Sequence, residues 1–221
     1  MFERGLQKIT KSCRFLTMGL FFGYFSNAAA LELVVEDQHG SKLANAVIEL
    51  HFNAEQLAKP NLPVATMDQV HKQFLPELLV VQKGQQVDFP NSDNIRHHVY
   101  SFSQAKPFQL KLYSGQPKAP ITFDNQGVVV LGCNIHDSMV GYIYVAGSKH
   151  VYKTNKQGKV TLPNNLLPIE LSVWHALQTA PLENKKIITV SAKSKHTITV
   201  NTSTPAPRNT FGSKFKAGND S

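Results

Sequence analysis

The sequence predicts an all-β protein of the sandwich class. Three observations carry that prediction. The chain is a succession of short segments rich in β-branched and aromatic residues. Clusters of Gly, Pro, Asn and Asp separate them. No long segment carries the 3.6-residue apolar period of an amphipathic helix. Of 221 residues, 42% are apolar and 17% charged, a balance that supports a packed core rather than disorder.

Taken in order, the expected strands are Leu31–Glu36, Ala46–Phe52, Leu78–Gln82, Gln86–Phe89, His98–Phe102, Ile121–Phe123, Val128–Cys133 and Val140–Ala146. Val151–Lys153, Lys159–Leu162, Ile169–Trp174, Lys186–Val190 and His196–Val200 follow. Val128-Val129-Val130-Leu131 is a continuous apolar run, as expected of a buried strand. Lys83-Gly84-Gln85 predicts a tight turn between two paired strands. A short helical turn is expected near Ala54–Leu57 or Met67–Lys72.

Residues 1–30 read as a secretory signal peptide. Arg4, Lys8, Lys11 and Arg14 form a basic start, Phe15 to Phe25 an apolar stretch, and Ala28-Ala29-Ala30 a small-residue cleavage site. The apolar stretch is short for a permanent membrane span, and a retained anchor is the competing reading. An exported, periplasmic protein that is not integral to the membrane after cleavage is the expectation.

Cleavage would remove Cys13 and leave Cys133 as the sole cysteine. An unpaired thiol in an oxidising compartment is a liability unless something occupies it. The net charge of +8 is diffuse. The lysines of the C-terminal part are not interleaved with the stacking aromatics of a nucleic-acid platform, so no nucleic-acid partner is expected. A mild steering of acidic partners is the functional option.

The chemistry concentrates in Gly132-Cys133-Asn134-Ile135-His136-Asp137-Ser138-Met139. A thiolate, an imidazole and a thioether lie within seven residues at the end of a buried strand. Copper cycling between a soft and a harder state needs ligands acceptable to both. Two imidazoles, one thiolate and a weak axial thioether form such a set. The loop supplies three, and the fourth must come from elsewhere. His97 and His98 compete for that place, and the strand period lets only one of two neighbours face Cys133. Periodicity alone leaves the choice open. An inert buried thiol and a Met139 that merely fills the core are the bland alternatives. Trp174-His175 reads as core plus a satisfied imidazole, and the other histidines have no second metal ligand at useful spacing in the sequence. No paired carboxylates, Ser/His/Asp pattern, phosphate loop or zinc-type cysteine pair is present.

The Cys-x2-His-x2-Met spacing of Cys133, His136 and Met139 resembles that of amicyanin, a cupredoxin related to plastocyanin and pseudoazurin. In amicyanin the upstream ligand follows an Asn by six residues and precedes Asn-Val. Here Asn91 leads by the same interval to His97, followed by His98-Val99. The resemblance therefore implies His97, Cys133, His136 and Met139 as ligands of one type 1 (blue) copper ion. It puts His98 in a bracing role or as the alternative ligand, with Asn91 in support. It spans about residues 74–146 and implies a cupredoxin-like Greek-key β-sandwich. Asp137-Ser138 departs from the family's Pro-Phe, which makes the loop more polar and less stiff, and Asp137 could raise the basicity of His136 or recruit a cationic partner. The whole chain is also similar to exported cupredoxin-like proteins labelled methylamine-utilisation proteins.

The flanks resemble a carboxypeptidase-regulatory-like or transthyretin-like sandwich, with its opening strands in 31–73 and the remainder in 147–201, so that 74–146 would be inserted in it. A single sandwich with extensions at both ends is the alternative. Residues 202–221 are expected to be disordered. The implied function is a one-electron carrier between a redox protein donor and acceptor, not an enzyme. A copper-binding carrier or sensor without an electron-transfer role is the rival.

Overall fold

The computed structural model describes residues 31–52, 62–136, 138–162, 167–191 and 195–203. Among them every regular element is a β-strand, as the sequence predicts. In chain order these are β1 (Leu31–Glu36), β2 (Val47–His51), β3 (Ala65–Thr66), β4 (Asp68–Val70), β5 (Gln73–Leu75) and β6 (Leu78–Gln82). Next come β7 (Gln86–Asp88), β8 (His97–Ser101), β9 (Phe108–Tyr113), β10 (Ile121–Thr122), β11 (Gly127–Cys133) and β12 (Val140–Ala146). The last are β13 (Val151–Lys153), β14 (Lys159–Leu162), β15 (Ile169–Trp174), β16 (Lys186–Val190) and β17 (His196–Thr199).

Two cores organise these strands. Sheets β14-β1-β17 and β13-β2-β15-β16 enclose Leu31, Leu33, Val35, Ile48, Leu50, Leu171, Val173 and Ile198. The first strands of the described chain thus pair with its last, β1 lying parallel to β17 and antiparallel to β14. The second core lies between β6-β12-β11-β8-β9 and the smaller β10-β7-β3. Phe89, Val99, Phe123, Val129, Leu131 and Ile143 fill it. β3, β4 and β5 belong with this second core, through Met67 and Phe74.

A third apolar cluster joins the two. Tyr142 and Tyr144 of β12 and Val128 of β11 meet Val47 and Trp174 of the first sandwich. This explains the unbroken apolar run in β11. Val129 and Leu131 face the second core while Val128 and Val130 face the joint, so the strand is covered on both sides. Trp174 is fully buried and donates its indole N–H to Leu182 O at 2.8 Å. Glu49, also buried, accepts from Tyr144 Oη (2.7 Å), Gly147 N (2.6 Å), Ser148 N (2.8 Å) and Lys185 Nζ (2.8 Å).

Several expectations are corrected. Met67–Lys72 is no helical turn: β4 and β5 form an antiparallel pair there, turning at His71 and Lys72 with φ of +52° and +60°. A carboxylate distant in sequence, that of Asp93, accepts both turn amides, and nothing local announces it. Ala54–Leu57 lies outside the described residues, as do 1–30 and 204–221. Lys83-Gly84-Gln85 does turn, with Gln85 N–H donating to Gln82 O at 2.9 Å. It does not join paired strands, however. β6 runs parallel to β12, while β7 pairs with β10 and β3, so the turn carries the chain between sheets. β9 was not foreseen, although Phe108 and Leu110 pack on the core and the intervening Gln109 is exposed. Thr202 and Ser203 are held, Thr202 N–H by Gln38 Oε1 at 2.8 Å and Ser203 N–H by Leu177 O at 2.9 Å.

Candidate metal centre

The sheet fixes two of the proposed ligands directly. β8 begins at His97 and β11 ends at Cys133, and these strands are antiparallel neighbours with Cys133 opposite Val99. The register brings Cys133 Sγ to 3.7 Å from His97 Nδ1. His136 comes from the loop between β11 and β12, its ring centroid 5.1 Å from that of His97 and inclined by 60°. One donor atom from each of His97, Cys133 and His136 lies within 4.8 Å of the others. Met139 closes the loop by donating its N–H to His136 O at 2.9 Å. Its side chain is buried in the core cluster that holds Cys133.

Two members of the cluster are shielded from water, with His97 0% and Cys133 4% exposed, while His136 is half-buried. His136 Nδ1 is buried and has no hydrogen-bond partner. An orphaned ring nitrogen is costly unless something accepts its lone pair, and a metal ion satisfies it. Burial above all, then the nearby His97 and Lys72, pushes the His136 pKa down against an opposing pull from Asp93. The neutral ring, the ligating form, is favoured. Asp137 lies outside the described residues, so its expected influence on His136 does too.

His97, rather than His98, stands beside Cys133 and His136. His98 is excluded from the cluster: its Nε2 meets Gln109 Nε2 at 2.7 Å and its Nδ1 meets Asn134 Nδ2 at 2.7 Å. It ties β8 to β9 and to the residue after Cys133. Asn91 donates to Ile95 O (2.9 Å) and Tyr113 O (3.0 Å) and accepts from Asp93 N (3.1 Å). It shapes the loop leading to His97. His97→Ala is therefore expected to abolish copper-dependent visible absorption, whereas His98→Ala should retain the band with a shifted energy. Spectra of the two copper-treated variants decide; the opposite pattern assigns the site to His98.

Asp93 is the residue that sequence reasoning missed. Its Oδ2 lies 2.8 Å from His97 Nε2. No second carboxylate pairs with it in the sequence, and its place four residues before His97 is the one local signal. Burial opposes its ionisation, but the Lys72 amide, His97 and the His71 amide together hold its pKa below the usual value. His175 behaves as expected, its Nε2 donating to Ala44 O at 3.1 Å and its Nδ1 accepting from Leu177 N at 3.2 Å.

Neither a family model nor a curated protein matches the chain. Among solved structures, a copper-containing nitrite reductase from Thermus scotoductus is similar at 28% identity over 44% of this chain and 25% of that one, with a TM-score of 0.37. This chain thus spans a quarter of that enzyme's length. Amicyanin from Paracoccus versutus is similar at 18% identity over 44% of this chain and 97% of its own, with a TM-score of 0.32. A purple cupredoxin from Nitrosopumilus maritimus gives 21% identity, 37% and 99% coverage and a TM-score of 0.31. Strand pairing and donor geometry define the class: an all-β protein with a largely buried His, Cys, His cluster able to hold a metal ion.

Proposed function

We propose that the chain is an exported, mononuclear copper protein of the cupredoxin type that carries single electrons between redox partners. The observation that carries this reading is the convergence of His97 Nδ1, Cys133 Sγ and His136 in one cluster, the first two buried and the third half-buried. Two imidazoles and a thiolate would suit copper in both of its common oxidation states, and the buried thioether of Met139 would be a weak fourth donor. Bound there, copper supplies a one-electron couple. The chain's own part is to hold the donors on strand ends and a short braced loop, so that little rearrangement accompanies a change of charge. Burial keeps water from the thiolate and from the ring of His97.

The first thirty residues support export to the periplasm, where a protein donor and acceptor would be met. The closure of β1 and β2 on β13 to β17 supports an insertion of the metal-bearing sandwich into a flanking one. Copper added to the purified protein should produce an intense visible band, a mononuclear electron-spin signal and a reversible redox couple. Colourless, rapidly exchanging copper would point instead to a carrier or sensor. Met139→Leu should keep the colour and raise the potential, because a weak axial donor tunes the couple more than it binds. Loss of copper from that variant would contradict the axial role.

A further inference from the structure

The β4–β5 hairpin packs beside the metal cluster without contributing a ligand to it. Its turn residues, His71 and Lys72, both hold left-handed backbone, which side-chain-bearing residues seldom adopt. Successive amides in such a turn form a concavity for an anion, and the anion here is a side chain of the protein. Asp93 Oδ1 accepts from His71 N (2.6 Å) and Oδ2 from Lys72 N (2.9 Å). The same Oδ2 stands 2.8 Å from His97 Nε2. The carboxylate is therefore immobilised by two amides before it meets the imidazole. The hairpin itself is anchored at both ends. Gln69 N donates to Pro90 O at 3.1 Å, and Ser92 N donates to Gln69 O at 3.0 Å. Phe74 is buried against Gly141, where an added Cβ would come within 2.8 Å of the Phe74 Cβ.

We infer that Asp93, seated in the His71–Lys72 turn, is the positioning residue that sets the tautomer and orientation of His97, making the hairpin a working part of the metal centre. The inference rests on the reading of His97 as a ligand. A neutral imidazole carries one N–H, and a carboxylate at Nε2 holds the proton there. Nδ1 then presents its lone pair toward Cys133 Sγ. With the proton on Nδ1, the ring would offer the metal no electrons from that nitrogen. The carboxylate also raises the electron-donating power of the ring, which favours the divalent ion over the monovalent one.

Nitrogen NMR of the metal-free protein tests this before any copper is added. His97 should carry its proton on Nε2, and Asp93→Asn should shift the ring toward a tautomer mixture while thermal unfolding still shows a folded chain. Copper affinity of that variant should fall about 10- to 100-fold. A tenfold larger loss for the divalent than for the monovalent ion would raise the potential by about 59 mV. A wild-type His97 found protonated on Nδ1 would overturn the inference without any variant. Asp93→Asn with unchanged tautomer, affinity and potential would do the same, leaving Asp93 as a turn acceptor alone. Should His97→Ala bind copper like the wild type, the ligand reading itself fails. Should His97→Ala lose copper while Asp93→Asn is unaffected, only the positioning role fails.

Discussion

Cys133→Ser should eliminate the visible absorption of the copper-treated protein and most of its copper, while the chain remains folded. The thiol is the one free cysteine among the described residues and is buried at the end of β11. Its Sγ is the atom His97 Nδ1 faces at 3.7 Å. A serine hydroxyl has nearly the same shape but does not ionise under ordinary conditions, so the soft anion is lost and with it the thiolate-to-copper transition. The affinity loss should exceed the roughly 100-fold that removing an outer partner of a ligand costs. The fold should tolerate the change, because the rest of the second core is packed by Phe89, Phe123, Leu131 and Ile143. Copper content, visible spectrum and thermal unfolding of the variant give the answer together. A variant as blue as the wild type would end the copper proposal.

Glu49→Ala should produce the largest loss of stability, about 3–5 kcal/mol, as when one partner of a buried ion pair is removed. The substitution strands Lys185 Nζ, the Tyr144 hydroxyl and two backbone amides that now share one carboxylate. The Lys185 ammonium also lies 4.4 Å from the centre of the Tyr144 ring. Burial opposes the charge on Glu49, but Lys185, Tyr144 and Ser148 outweigh it and depress the pKa. Burial, together with the Glu49 charge, keeps the Tyr144 hydroxyl protonated and so able to donate.

A depressed carboxylate pKa contributes stability above the unfolded value, and that contribution fades as pH falls through the folded one. Denaturant unfolding of the wild type should therefore weaken on acidification below the ordinary Glu range, and Glu49→Gln should lack that part of the slope. Equal stability and equal acid sensitivity in wild type and variant would show that the joint is held by Trp174 and its apolar neighbours alone. The consequence reaches the metal loop, since β12 carries Tyr144 and begins directly after Met139.

Much of the candidate site could be read locally. Cys133, His136 and Met139 occur within seven residues, and their spacing follows from one loop between two strong strands. The strands themselves were legible wherever apolar content was high, as in β1, β6, β12 and β15. Short polar strands were not. β3 to β5 carry little apolar signal of their own; β3 pairs with β7, and in the β4–β5 hairpin the amides of Gln69, His71 and Lys72 find their acceptors in Pro90 and Asp93, far along the sequence. A local window holds no trace of an acceptor twenty residues away.

From its amino acids alone, the chain determined an all-β architecture and set a cysteine, a histidine and a methionine close together after one strong strand, because strand period, turn composition and residue spacing are short-range properties. Strand period left open which of two adjacent histidines turns toward Cys133, although the resemblance implied His97; tertiary structure alone decided that Asp93 stands behind His97 and that Glu49 becomes a buried carboxylate. The physical reason is the same in each case. Alternation places neighbours on opposite faces of β8 without saying which face is the core. Hydrogen-bond partners separated by 95 to 136 residues meet only when the sheets have packed.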